Sequence, residues 1–366
     1  MKQGWTYKKL GDLCDIYQPK TLATEQLVAD GKYYVYGANG IIGRFNDYNH
    51  EQSEILLTCR GATCGTINIS QPYSWINGNA MVIHRKSEDL SFDFLKYLML
   101  SLDYSLIITG AAQPQITRQK IAPIIVKFPS LSVQQSIVSE LDKINELIRL
   151  KKEQLKDYDK LAQSIFYEMF GDPVVNEKGW EVKKLGELCV SKLKYGSGAS
   201  AVDFDGNIRY VRITDINEDG TLNNDIKSPN IVDDEYLLNV GDIVFARSGA
   251  TVGKTYLHRK NNIKCLYAGY LIKATLNTKM VLPIYVFQFT QSKYYKDWVN
   301  LNARAVAQPN INAKQYGDLQ IPLPPLTLQQ LFVQRIELIE QQKAEIQSTI
   351  ADLETLLASR MQYWFD

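Results

Sequence analysis

Histidine is scarce in this chain, three in 366 residues (His50, His84 and His258), which leaves little material for acid–base or metal chemistry. The five cysteines are an odd number, and the closest pair, Cys59 and Cys64, lacks zinc-ligand spacing. Neither a disulfide framework nor a metal site is expected. No apolar run approaches the roughly 18 residues of a membrane span. The opening, MKQGWTYKKL, has no apolar core of a secretory signal, which predicts a cytoplasmic protein. An excess of one charge is missing as well: 41 basic side chains stand against 40 acidic ones, a net charge of +1. Charge alone would therefore hold a polyanion weakly. What remains is the composition of a folded globular protein, 45% apolar, of a length that predicts two domains or more.

The chain is written twice. Residues 4–14 read GWTYKKLGDLC and residues 179–189 read GWEVKKLGELC, eight identities in eleven at an offset of 175. Further on, ILLTCRGATCGT at 55–66 answers IVFARSGATVGK at 243–254, at an offset of 188. AQPQI at 112–116 answers AQPNI at 307–311, and LSVQQ at 131–135 answers LTLQQ at 326–330, both at 195. One long period, present twice, is a duplicated domain and not a solenoid.

Each copy ends in a segment of different rhythm. Ser132 with Gln135, and Thr327 with Gln330, fit a capping box ahead of an apolar-periodic stretch. In the first copy Ile137, Leu141, Ile144, Ile148, Lys151, Leu155, Tyr158, Ala162, Ile165 and Met169 recur at alternating spacings of four and three. Phe332, Ile336, Ile339, Lys343, Ile346, Ile350, Leu353, Leu357, Arg360 and Trp364 fill the same ten positions in the second. This seam predicts a coiled coil, interrupted by Lys151, Lys343 and Arg360, with each helix the natural partner of the other. The seam alone does not decide parallel from antiparallel. The remaining regions, with strand-like runs such as IRYVRITDI and GDIVFARSG between Gly and Asn, read as two α+β domains. The expected boundaries are 1–131, 132–170, 171–325 and 326–366. Charge sorts weakly between them: residues 1–130 and 171–325 together carry +5, the helical parts −4. That direction suits a polyanion at the domains and a protein partner at the helices.

Catalytic signatures are absent. SGATVGKT at 248–255 approaches a nucleotide-binding P-loop, but its first glycine is Ser248, the following TYLH reads as a strand, and the first copy lacks the lysine. Glu181-Val-Lys183 resembles the tail of a nuclease site, yet Thr6-Tyr-Lys8 stands there in the first copy. Cys14 and Cys189 occupy matched, apolar surroundings, as core cysteines do. The polar residues at or near matched positions are then the informative ones. Arg60 and Arg247 lie just before the GAT-x-G turn, with Thr63 and Ser248 beside them. Gln113 and Gln308 precede proline, and Asn310 follows in the second copy. Arginine reads guanine, Asn and Gln read adenine, and hydroxyls hold phosphates. Asn39, Asn77 and Asn79 in the first domain, and Arg209, Arg212 and Arg304 in the second, are further DNA-binding candidates.

Two variable domains that each open GW-x2-KKLG-[DE]-LC, carry [RS]GAT-x-G and AQP-x-I, and close in a PxL[ST]xQQ helix resemble the specificity subunit of type I restriction–modification systems. The resemblance implies two target-recognition domains with different fillings, separated by two long helices packed antiparallel in a pseudo-twofold molecule. It also implies a non-catalytic subunit that reads a bipartite target on double-stranded DNA. It implies two methyltransferase subunits on the helices and a motor-nuclease subunit in the complex. S-adenosylmethionine, ATP and magnesium would bind those partners, and no cofactor this chain. The resemblance leads one to expect a short further segment after the position of Asp366, the last residue of this sequence. Two other readings stand beside it: a self-contained nucleotide hydrolase built on GATVGKT, and a coiled-coil scaffold with no DNA role.

Overall fold

The first strand of each repeat pairs antiparallel with a strand from the repeat's far end: Thr6–Lys9 with Ile125–Phe128, and Glu181–Lys184 with Gln320–Leu323. A computed structural model describes residues 5–110, 113–259, 263–303 and 309–366; the expected site residues Arg304 and Gln308 lie outside them. The chain divides into two compact units, Met1–Leu150 with Thr349–Asp366, and Lys151–Ser348.

In the first unit a four-stranded sheet has the order Cys14–Tyr17, Ala80–Arg85, Ile55–Thr58, Ile67–Ile69, all neighbours antiparallel. Ile55–Thr58 is buried along its whole length, as a strand covered on both faces must be. Its side chains alternate between two layers. Ile55, Leu57, Met81 and Ile83 meet Phe94, Leu95 and Leu98 of the helix Phe92–Ser101. Leu56, Ala80 and Val82 meet Tyr36 and Ile76 of a second, three-stranded sheet. The second unit repeats the plan. Its sheet runs Lys194–Tyr195, Leu271–Ala274, Ile243–Ala246, Thr255–Leu257. Ile243, Phe245 and Ile272 face Tyr285 and Phe289 of the helix Pro283–Thr290. Val244, Ala246 and Leu271 face Val211 and Tyr267 of a parallel strand pair.

Each repeat closes in a 40-residue helix, Leu131–Phe170 and Leu326–Phe365. The capping box expected at Ser132 and Thr327 is replaced by a different device, because both helices already begin one residue earlier. The residue pinned there is the first glutamine of each QQ pair, fully buried in both copies. Gln134 accepts the Ser91 N–H at 2.8 Å and donates to the carbonyls of Asp89 and Pro129, both at 2.9 Å. Gln329 accepts the Leu282 N–H and donates to the Pro324 carbonyl, both at 2.8 Å. Ser91 and Leu282 are the N-cap residues of the two short helices, so one glutamine satisfies an otherwise orphaned helix-end amide and ties two elements together.

The seam lies inward. Ile137, Leu141, Ile144, Ile148, Phe332, Ile336, Ile339, Ile346 and Ile350 are buried, and Leu155, Tyr158, Leu353 and Leu357 half-buried. In the first unit Ile137 and Leu141 share a core with Leu357, Met361 and Phe365. In the second, Phe166 and Phe170 share one with Phe332, Ile336 and Ile339. In the second unit Phe332 meets Phe166 and Phe170 while Lys343 meets Asp159, so the helical segments there run antiparallel. Two of the three interrupting charges find acids on the facing helix: Lys343 donates to Asp159 at 2.7 Å and Arg360 to Glu140, which also accepts the Trp364 indole N–H at 3.1 Å. The hydrogen bond from Arg360 holds the Glu140 carboxyl below its ordinary value. Burial opposes charge on Lys343, but the Asp159 hydrogen bond and nearby Glu340 outweigh it and raise its pKa. Lys151, the third, donates to Gln154 on its own helix. Among the described residues no helix is long and apolar enough to cross a membrane.

Candidate nucleic-acid interface

The repeated GAT-x-G turn and the repeated AQP-x-I segment, more than fifty residues apart in sequence, are joined in both units by the same backbone ladder. In the first, the Gly61 N–H donates to the Pro114 carbonyl at 3.0 Å and the Ile116 N–H to the Cys59 carbonyl at 3.0 Å, with Arg60 bridged to Gln115. In the second, the Gly249 N–H donates to Pro309 at 3.1 Å and the Ile311 N–H to Arg247 at 2.8 Å, with Ser248 bridged to Asn310. Gly61 and Gly249 have φ of 89° and 70°, backbone that a side chain would strain, which accounts for glycine at this one position in both copies.

The ladder fixes the equivalences. Arg60 matches Ser248, and Arg247 matches the buried Cys59, so the two arginines occupy successive positions of one strand and point to opposite faces. Arg60 is exposed. Arg247 is half-buried, its guanidinium 4.8 Å from the centre of the Tyr195 ring and its Nε donating to Asn310 Oδ1 at 3.3 Å. The Tyr195 hydroxyl accepts the Ala313 N–H at 3.1 Å, and the Tyr270 carbonyl accepts the Arg247 N–H at 3.0 Å. Arg247 is thus held in one orientation before any ligand arrives.

Around the first turn, loop ends converge. Thr58 Oγ1 donates to the Ala38 carbonyl, which sets the neighbouring Asn39, exposed in the turn between two paired strands, beside the sheet end. Asn39 Oδ1 accepts from Asn68 at 3.2 Å. The Cys59 thiol donates to the Asn79 carbonyl at 3.2 Å, leaving the Asn79 side chain exposed. Thr63 and Gln113 are exposed too. The arrangement offers a guanidinium, carboxamides and a hydroxyl at one end of a rigid sheet, the donor and acceptor types that base edges and phosphates require.

Three candidates serve the fold instead. Asn77 is 4% exposed, accepting the Leu22 N–H at 2.7 Å and donating to the Leu22 carbonyl at 3.3 Å. Arg209 is buried and donates to the Asn223 carbonyl at 2.6 Å, with its Nε unpaired. Arg212 is committed to buried Asp215 at 2.6 Å and to Asp225 at 2.8 Å. In sequence all three look like readers, because a polar residue's burial is a tertiary property. Sequence reasoning misses Gln115, although the AQP alignment pairs it with Asn310, and it misses Tyr195 and Tyr270, for which no local pattern speaks.

The GATVGKT string is no phosphate cradle. As its sequence predicts, a strand follows, Thr255–Leu257, and the Lys254 ammonium pairs with Glu218 at 2.9 Å. Cys14 and Cys189 are core thiols, pushed up to about 12 by burial.

The chain is similar to known proteins over most of its length. A family model described as the type I restriction modification DNA specificity domain matches residues 2–157 and again 177–354. The type I restriction enzyme MjaIX specificity subunit of Methanocaldococcus jannaschii is 23% identical over 304 residues, covering 76% of this chain and 68% of that protein. A putative type I restriction enzyme specificity subunit of Haemophilus influenzae is 23% identical over 333 residues, covering 86% and 82%. The crystal structure of a type I restriction–modification S subunit from M. genitalium superposes with a TM-score of 0.57 at 16% identity, over 99% of this chain and 96% of that one. A second solved chain, from work on assembly and conformational transition of a type I restriction–modification system, gives 0.59 at 19%, over 99% and 97%.

Proposed function

The chain belongs to the family of type I restriction–modification DNA specificity domains, and from that premise we propose that it reads a bipartite, asymmetric DNA target, one half per repeat. The observation that carries this is the shared ladder: one backbone frame in both units presents Arg60, Gln113 and Gln115 in one and Arg247, Ser248 and Asn310 in the other. Equal frames with unequal side chains suit two unlike half-sites, as equal recognition elements in dimeric readers suit two like ones. The two long helices carry methyltransferase subunits, two of them by the symmetry of the repeat, and set how many base pairs go unread between the halves. A motor-nuclease subunit joins the same complex. S-adenosylmethionine, ATP and magnesium bind those subunits, which flip and methylate adenine, while this chain supplies selection only. The whole acts in the cytoplasm. Mapping adenine methylation in cells with and without the gene tests this. A split motif that disappears with the gene is expected; an unchanged methylation pattern contradicts the proposal.

A further inference from the structure

We propose that the first repeat carries a phosphate-gripping surface beside its reading turn that the second repeat lacks, so that the DNA backbone is held more firmly at one half-site than at the other. This rests on the DNA-reading function proposed above. In each repeat the first strand and the segment that leads into the last strand form one piece of structure. In the first copy the Leu10 N–H donates to the Ile124 carbonyl at 2.8 Å and the Gly11 N–H to Ala122 at 2.9 Å; in the second the Leu185 N–H donates to Leu319 at 2.8 Å.

The two pieces differ in charge. Residues 6–13 and 117–128 carry Lys8, Lys9, Arg118, Lys120 and Lys127 against Asp12 alone, +5 − 1 = +4. Residues 181–188 and 312–323 carry Lys183, Lys184 and Lys314 against Glu181, Glu187 and Asp318, +3 − 3 = 0. Among the described residues none of the five cations in the first copy is in an ion pair, and all but half-buried Lys127 are exposed; the Lys8 ammonium lies 4.4 Å over the Phe128 ring. In the second copy Lys183 pairs with Glu181 at 3.3 Å and Lys184 with Asp318 at 2.9 Å. Position by position five changes remove positive charge or add negative charge, and one, Gln119 to Lys314, runs the other way. Thr6 becomes Glu181, Arg118 becomes Ala313, Lys120 becomes Gln315, Pro123 becomes Asp318 and Lys127 becomes Pro322.

Lys9, Arg118 and Lys120 are exposed, Asp12 is the one acid in the same segments, and a polyanion laid across the excess positive charge relieves its self-repulsion. The place of these cations selects DNA over an acidic protein. Arg118 lies three residues beyond Gln115, which is bridged to Arg60 at the reading turn, so the surface continues the site. Contacts of this kind fix register without reading sequence.

The test is equilibrium binding of the full chain to a random-sequence duplex over a salt series starting at low salt. The variant Lys9→Gln/Arg118→Gln/Lys120→Gln is expected to lower the slope of log K against log salt by about two to three, since each lost phosphate contact removes about 0.9. Lys183→Gln/Lys184→Gln should leave the slope unchanged, and Lys9→Arg/Arg118→Lys/Lys120→Arg should restore it. Equal slopes in wild type and the first variant overturn the proposal, as does the same fall in both glutamine variants. A first variant that loses a co-purifying methyltransferase subunit at unchanged slope identifies an acidic protein surface instead and overturns it too. A wild-type chain that binds no duplex even at low salt contradicts the reading function itself.

Discussion

Arg60 and Arg247 illustrate what a side chain's residue type discloses and what it withholds. Both precede the same repeated turn, and that much is written in the sequence. Which face each takes depends on strand register, and there they part: Arg60 exposed beside Gln115, Arg247 stacked on Tyr195 and bonded to Asn310. Asn77 and Asn79 show the same limit two residues apart, one buried against Leu22 and one exposed. The physical reason is that a loop's polar groups are satisfied by partners distant in sequence, and composition carries no record of them. The contrast yields a paired test. Arg60→Ala should relax or weaken one half of the target by about 1–3 kcal/mol if the guanidinium reads a guanine, at unchanged melting temperature. Asn77→Ala should leave the methylated motif intact and cost about 1–3 kcal/mol of stability, the penalty of leaving a buried partner unpaired. Thermal melting and methylation mapping of both variants check this. A motif altered by Asn77→Ala would assign that residue a reading role.

At the scale of elements, the long helices are the most legible feature, because a 3.5-residue rhythm is local and needs no tertiary information. Their start is less so. Ser132 and Thr327 satisfy a local capping pattern, but the groups that organise these helix ends are Gln134 and Gln329, whose partners Ser91 and Leu282 lie 43 and 47 residues away. The sheets are legible as strand-like runs, and their two-layer arrangement is not, since alternation within a fully buried strand such as Ile55–Thr58 leaves no polar face to read. Gln134→Ala removes one acceptor and two donated hydrogen bonds from backbone groups and is expected to destabilise by about 3 kcal/mol or more, from one to three for each group left unpaired. Gln135→Ala, one residue on and exposed, should cost well under 1 kcal/mol. Chemical denaturation of the two variants decides the matter; equal midpoints would remove Gln134 from its assigned role.

At the scale of the whole molecule, duplication with divergent filling is the property from which function follows. The frame (first strand to last strand, turn to AQP segment, buried glutamine to short helix) recurs in both units, and the side chains set on it do not. Readers on separate cores should be energetically independent, so their specificities should be separable. The measurement that tests this most directly is the methylated adenine motif in cells whose chain has residues 171–325 exchanged for the equivalent segment of a relative with a different target. One half of the motif should change and the other should persist unaltered, with the first half still sensitive to Arg60→Ala. A motif rewritten in both halves, or a wild-type motif that proves continuous, would contradict the account.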